Sequence, residues 1–191
     1  MKKKEAGTQN RIIRLIIAVV VIACLGYGGY WFYSAHQGGS KAEETMKELE
    51  VFIPGLGVDT GSQTGAGRDP LASVTIKDMD IVGVIEIPAI DVMAPVTAKD
   101  YSEEFFASWL GGSPVSGRFM ITGGRDDVFL KLAKLKPGDR VAFTDIDGVR
   151  YSYSVLTQYH LKKWDEGTDD LQLCYKTDDD TYFVVGCSAD Q

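Results

Sequence analysis

The sequence predicts a mainly β domain, a sandwich or a barrel with one or two short helices, preceded by a single transmembrane helix. From about Asp78 the chain breaks into short apolar runs such as Ile81–Ile87, separated by Gly, Pro and Asp turn residues. Many short strands with turns between them are typical of a sandwich or a barrel. Within that region, Tyr101–Trp109 and Val128–Leu135 have helical spacing, which predicts the two helices.

The N-terminus predicts a membrane anchor. Leu15–Tyr33 carries no charged side chain and, as a helix, spans roughly the 30 Å hydrocarbon core. The basic tail, residues 1–14, predicts a cytoplasmic N-terminus and an extracellular C-terminal domain. An alternative is a lipoprotein signal, since Val21–Cys24 is similar to a lipoprotein cleavage box. The apolar run continues past Cys24, which favours the spanning helix.

Residues 34–77 are predicted to form an extracytoplasmic stalk with a short helix, ahead of the β domain at 78–191. Lys41–Phe52 has Met46, Leu49 and Phe52 at helical spacing among Glu and Lys. Gly55–Pro70 is rich in Gly, Ser, Thr and Asp, a composition typical of flexible tethers. We therefore expect the stalk to hold the domain away from the bilayer.

The charge of the chain argues against nucleic acid as a partner. Its formal net charge is −7 at pH 7, whereas phosphate backbones need basic surfaces. The acidic runs at 164–170 and 178–180 contain oxygen ligands that suit calcium, but neither run has the spacing of a defined calcium loop. We therefore predict no metal site and no cofactor, with calcium at these loops as the alternative.

Two cysteines, Cys174 and Cys187, lie in the predicted extracellular part, where a disulfide is permitted. A tight hairpin turning at 178–180 would instead set Cys174 opposite Phe183 or Val184. The hairpin geometry disfavours the disulfide without excluding it.

Four segments in the β region carry recognisable motifs. They are Ile85–Ile90, Ala94–Val96, Gly111–Pro114, and Met120–Arg125 with the Phe129–Asp139 segment after it. Each segment is weak alone, but in this order and at this spacing the four resemble the sortase family, the cell-surface cysteine transpeptidases of Gram-positive-type bacteria. The resemblance implies a closed eight-stranded β-barrel, in which a cysteine, a histidine and an arginine converge at one strand end.

The resemblance places other residues at all three catalytic positions. Gly124 stands where the family has its histidine, and Arg125 matches the next residue. Leu171–Lys176 resembles the family's Leu-Thr-Leu-x-Thr-Cys strand, with Lys176 at the cysteine position. Cys174, two residues earlier, would share the face of Lys176 but lie about 6 to 7 Å short of it.

The arginine position falls on Tyr182, or on Thr181 if the alignment shifts by one. His160 ends a predicted strand away from every matched segment, which makes it a weak substitute for the missing histidine.

The loss of three reactive groups at one site predicts a non-catalytic module that binds a peptide or a surface protein. The candidate groove comprises Gly124, Arg125, Cys174, Lys176 and Tyr182. The alternative is an active cysteine transpeptidase or peptidase that uses Cys174 as the nucleophile. In that case His160 or a partner chain would relay the protons. A third possibility is a purely structural spacer.

Overall fold

The computed structural model describes residues 42–53, 67, 69–99, 106–124, 128–163, 168–177 and 180–190. The predicted basic tail and membrane helix lie outside this part of the chain. Among the described residues, no helix is long and apolar enough to cross a bilayer.

The described part forms one α-helix, two single-turn 3-10 helices and nine strands. The α-helix, α1, covers residues 42–52. The 3-10 helices are Pro88–Ile90 and Leu132–Lys134. The strands are β1 (Val74–Ile76), β2 (Met79–Ile87), β3 (Val92–Thr97), β4 (Ala107–Ser113), β5 (Gly117–Gly123), β6 (Arg140–Asp145), β7 (Arg150–Leu161), β8 (Leu171–Lys176) and β9 (Tyr182–Ala189).

Eight of these strands close into a barrel. They follow the order β2-β3-β4-β5-β8-β9-β7-β6, and β6 pairs back onto β2. β1 is a short addition to the N-terminal end of β2. The pairs β3–β4 and β5–β8 are parallel, and the other pairs are antiparallel. The predicted closed, mainly β barrel is confirmed.

The barrel interior is filled by alternate residues of each strand, as expected when successive side chains point to opposite faces. Phe119 and Phe143 meet edge to face at its centre, with ring centroids 4.7 Å apart. The segment 128–135 packs on the core through Phe129, Leu132 and Leu135. There Phe129 packs on Gly123, where a Cβ atom would come within 2.6 Å of the ring. The amide of Gln158 also donates a hydrogen bond to the Leu135 carbonyl at 2.6 Å.

The predicted helix at Tyr101–Trp109 is wrong over its last residues. Ala107–Ser113 is strand β4, and Trp109 pairs with Ile121 of β5. Strand pairing on both sides of β4 therefore overrides the helical spacing of the apolar residues. The predicted Val128–Leu135 helix is a turn followed by the short 3-10 helix Leu132–Lys134.

The predicted helix at Lys41–Phe52 is present, but its buried face differs from the expected one. Thr45, Leu49 and Ile53 are buried at intervals of four residues, whereas Phe52 is 60% exposed. Leu49 and Ile53 pack against residues of β1 and β2 in a second apolar cluster. The compact unit therefore begins at Lys41. Both α1 and β1 pack on the barrel, although they fall within the segment predicted to be a stalk.

Candidate functional site

Three strands bring the predicted site positions to one end of the barrel. β5 runs parallel to β8, with Thr122 opposite Cys174, and Gly124 directly follows β5. β9 runs antiparallel to β8, so Lys176, the last residue of β8, faces Tyr182, the first residue of β9. The backbone thus places Gly124, Lys176 and Tyr182 at the same edge, with Cys174 two residues before the end of β8. Arg125 lies outside the described residues.

The strand register distinguishes Tyr182 from Thr181. Directly paired residues of antiparallel strands project to the same face, so the Tyr182 side chain shares the face of Lys176. The hydroxyl of Thr181 instead lies 2.7 Å from the hydroxyl of Thr177, across the turn between the two strands.

Cys174 projects to the outer face of the barrel, because Leu171 and Leu173 on alternate positions fill the core. The residue is nevertheless only 2% exposed. Burial raises the pKa of the Cys174 thiol to about 11, and a side-chain hydrogen bond with Thr122 offsets this only in part. The thiol is therefore protonated near neutral pH, and a protonated thiol is a poor nucleophile.

Lys176 is an exposed cation with a bound partner. Its ammonium group lies 2.6 Å from Asp180 Oδ1, and the two side chains are 59% and 86% exposed. This hydrogen bond raises the pKa of Lys176 and lowers the pKa of Asp180. Lys176 is therefore a charged group at neutral pH rather than a free amine.

His160 is not placed to serve Cys174. It lies on β7, opposite Phe183 of β9, and its ring meets the Phe183 ring edge to face at 5.3 Å. Phe183 also contacts the Tyr175 ring, so His160 shares the face of Tyr175. Cys174 adjoins Tyr175 on β8 and projects to the opposite face.

A polar contact outside the predicted site adjoins the groove. The Tyr159 hydroxyl donates a hydrogen bond to the carboxylate of Asp169, and burial followed by this bond raises the pKa of Tyr159. The carboxylate lies over Gly186, where a Cβ atom would collide with it. Gln172, opposite Gly186, is buried, and its amide nitrogen has no hydrogen-bond partner among the residues that the structure describes. Sequence reasoning missed this contact, because no spacing rule links Tyr159 to the loop before β8.

The two cysteines of the domain are free. Cys187 of β9 pairs with Leu171 of β8, whereas Cys174 of β8 pairs with Val184, three residues before Cys187. The predicted hairpin placement of Cys174 is therefore confirmed, and the disulfide alternative is wrong. Burial raises the pKa of Cys187 to about 12.

The acidic runs are described only in part, since residues 164–167 and 178–179 lie outside the described chain. Among the residues that the structure describes, no group of three His, Cys, Asp or Glu side chains could hold a metal ion. Calcium at these loops stays an untested alternative.

Comparisons with known proteins agree with this architecture. A family model described as the Sortase domain matches residues 85–190. Sortase D of Bacillus subtilis (strain 168) is 24% identical over 170 residues, which cover 85% of this chain and 83% of that protein.

Solved sortase structures share the fold. Sortase C of Clostridium perfringens, solved with the C-terminal cell wall sorting motif, has a TM-score of 0.52 at 16% identity. The match covers 82% of this chain and 95% of that one. Sortase C1 of Streptococcus agalactiae has a TM-score of 0.50 at 17% identity, and the match covers 83% and 91% of the two chains. The matched domain model covers more than half of the sequence, and the protein therefore belongs to the sortase family, a family of cysteine transpeptidases.

Proposed function

We propose that this sortase-family protein is a non-catalytic module that binds an extended peptide or a surface protein segment at the cell surface. The observation that carries the proposal is the pairing of Lys176 with Tyr182 at the end of β8, with Gly124 at the end of the neighbouring β5. Transpeptidation needs a thiolate nucleophile, a proton carrier and an oxyanion donor together at such a point. Lys176, Gly124 and Tyr182 do not supply that set.

The properties of Cys174 support the same conclusion. Its thiol is buried, its pKa is raised to about 11, and it precedes the strand end by two residues. A displacement of even about 1 Å can cost about a hundredfold in rate. A displacement of two residues along a strand, about 6 to 7 Å, is far larger.

The remaining groups at the strand end are suited to holding a peptide. The Lys176 and Tyr182 side chains project from directly paired positions of β8 and β9, and both can donate hydrogen bonds to carbonyl or carboxylate oxygens. The Clostridium perfringens sortase C was solved with a sorting motif, which makes a sorting-signal peptide the first ligand to test here. Anchoring by Leu15–Tyr33 would present this groove outside the membrane.

The test combines binding and covalent chemistry on the full chain. Fluorescent sorting-signal peptides are titrated into the protein and anisotropy is recorded, and the intact mass is then measured. We expect saturable binding, no acyl adduct, and weaker binding for Lys176→Glu. Lys134→Glu, which makes the same charge change at an exposed position of the 3-10 helix, is the matched control. Saturable binding that is identical in both variants, or no binding at all, would refute the groove proposal.

Membership of the family favours one rival function, transpeptidation through Cys174. It predicts an acyl adduct that hydroxylamine releases and that disappears in Cys174→Ala. Detection of that adduct would replace the binding proposal with an enzyme that has an unusual site.

A further inference from the structure

A row of outward-facing side chains crosses three strands at Cys174. Tyr159 of β7 pairs with Val184 of β9, and Val184 pairs with Cys174 of β8, so the three side chains project to the same face. Although this face is the outside of the barrel, Val184 has no exposed surface and Cys174 is 2% exposed. The row therefore lies beneath other groups of the chain.

The adjoining row, two residues away along β8 and β9, carries the Asp169 carboxylate. Gln172 of β8 pairs with Gly186 of β9, and Asp169 lies over Gly186 in the space that a side chain would take. Gln172 is also 2% exposed, and its amide nitrogen is an unpaired donor within the described part of the chain. A buried donor without a partner is costly, and a ligand carbonyl at this place would satisfy it.

The Tyr159 hydroxyl joins the two rows, because it donates a hydrogen bond to the Asp169 carboxylate. Burial, this bond and, more weakly, the Cys174 thiol raise the pKa of Tyr159, which agrees with the position of Cys174 in the same row. The Tyr159 side chain thus extends from β7 across β9 towards the segment that precedes β8.

Asp169 is held in place by the residue that follows it. The Asp170 carboxylate accepts a hydrogen bond from the Ala189 N–H at 2.9 Å, and the Asp170 carbonyl accepts one from the Phe119 N–H at 2.9 Å. Tyr159, by contrast, is a half-buried side chain that can change rotamer without a change in the strand backbone. Rotation of Tyr159 would therefore break the bond while Asp169 stays in place.

We propose that the Tyr159–Asp169 hydrogen bond is a gate over the outer face of β8. While the bond is made, Cys174 and Gln172 are covered. When Tyr159 swings away, a peptide carbonyl can reach the Gln172 amide. The inference rests on the proposed function, since it takes the groove to hold a peptide, and it extends that groove along β8 as far as Gln172. The closed gate is an autoinhibitory contact.

The first measurement tests the gate without a peptide. The native full chain is treated with iodoacetamide, and mass spectrometry of digested samples gives separate labelling rates for Cys174 and Cys187. Tyr159→Phe removes only the hydroxyl and should speed Cys174 labelling at least about tenfold, since a hydrogen bond to a charged group is lost. Asp169→Ala should act in the same direction. Cys187 belongs to the core, so its rate reports opening of the whole barrel and should not change.

Tyr151→Phe is the matched control. It also lies on β7 and removes a hydroxyl that donates to a carboxylate, that of Asp145. It should leave the ratio of the Cys174 and Cys187 rates unchanged. Unchanged Cys174 labelling in Tyr159→Phe, or an equal acceleration at Cys187, would overturn the gate.

The second measurement separates the gate from peptide binding. The fluorescent sorting-signal peptides should bind Tyr159→Phe up to about tenfold more tightly, because the cost of opening is removed. Gln172→Ala in that background should lose the gain. Faster Cys174 labelling with unchanged affinity would overturn the autoinhibitory role. Faster labelling with no peptide bound by any variant would support the gate as a cover of the thiol and refute the groove proposal.

Discussion

Two ion pairs in this barrel both join a cation to a carboxylate, but one pair is buried and the other is exposed to solvent. Glu86 and Arg150 join β2 to β7 on the barrel wall, and their side chains are 10% and 13% exposed. Lys176 and Asp180 close the β8–β9 end, where both side chains are well exposed. Removing one partner of a buried pair leaves an uncompensated charge, whereas an exposed partner is simply hydrated. The Glu86–Arg150 pair (the wall pair) therefore stabilises the fold, whereas the exposed Lys176–Asp180 pair (the groove pair) contributes little to stability.

The largest effect is expected from breaking the wall pair. Arg150→Ala leaves the Glu86 carboxylate buried without its bidentate partner. We expect the free energy of unfolding to fall by about 3–5 kcal/mol, measured by urea denaturation of the full chain.

The double variant Glu86→Leu/Arg150→Met is the matched control, since it removes both charges and keeps apolar volume. It should recover most of the loss. A single variant no less stable than the double variant would contradict the role given to the pair.

An intermediate effect is expected at Gly186, a buried position of β9. Gly186→Ala should push the Asp169 carboxylate away from the Tyr159 hydroxyl, at a cost of about 1–3 kcal/mol. The same substitution in an Asp169→Ala background should cost much less, because the collision is gone. Equal costs in both backgrounds, measured by denaturation, would show that the carboxylate is not the obstacle.

A smaller effect is expected from the buried thiol of Cys174. Its folded pKa is about 11, above the ordinary value of about 8.5 for an unfolded cysteine. As the pH rises through that lower value, the unfolded chain releases a proton that the folded chain keeps. Stability should therefore fall with rising pH, by about 0.7 kcal/mol between pH 8 and pH 9 for this one group. Cys174→Val should have a shallower slope over that interval, and an unchanged slope would count against a buried thiol.

The smallest effect is expected at the groove pair. Lys176→Ala and Asp180→Ala should leave the urea midpoint unchanged, because both groups are hydrated with or without each other. A loss comparable to that of Arg150→Ala would mean that the β8–β9 end is structural rather than available for binding.

The barrel strands and the groove edge could be predicted from sequence, because both depend on local patterns. Alternation in Leu171–Lys176 predicted that Cys174 and Lys176 share one face, and the structure places Leu171 and Leu173 on the other. The wall pair had a visible signal in Glu86, a lone charge within the apolar run Ile81–Ile87. Its partner lies 64 residues away, and no local pattern identifies it.

Other features could not be predicted because long-range packing decides them. Trp109 has helical spacing but lies in strand β4, because it pairs with Ile121 of β5. Phe52 was expected to be buried and is exposed, because the position of α1 on β1 and β2 selects the face that contains Leu49 and Ile53.

The parallel pairing of β5 with β8 has a consequence for the order of folding. Thr122 and Cys174, which meet in that pair, are 52 residues apart, whereas β6 and β7 form a local hairpin. Closing a long loop costs more entropy than closing a short one, so the hairpin can form before β8 joins β5. The groove edge would then be assembled late, after the wall that carries Arg150 is in place. A newly synthesised chain would therefore acquire its stable wall first and the β8–β9 end last.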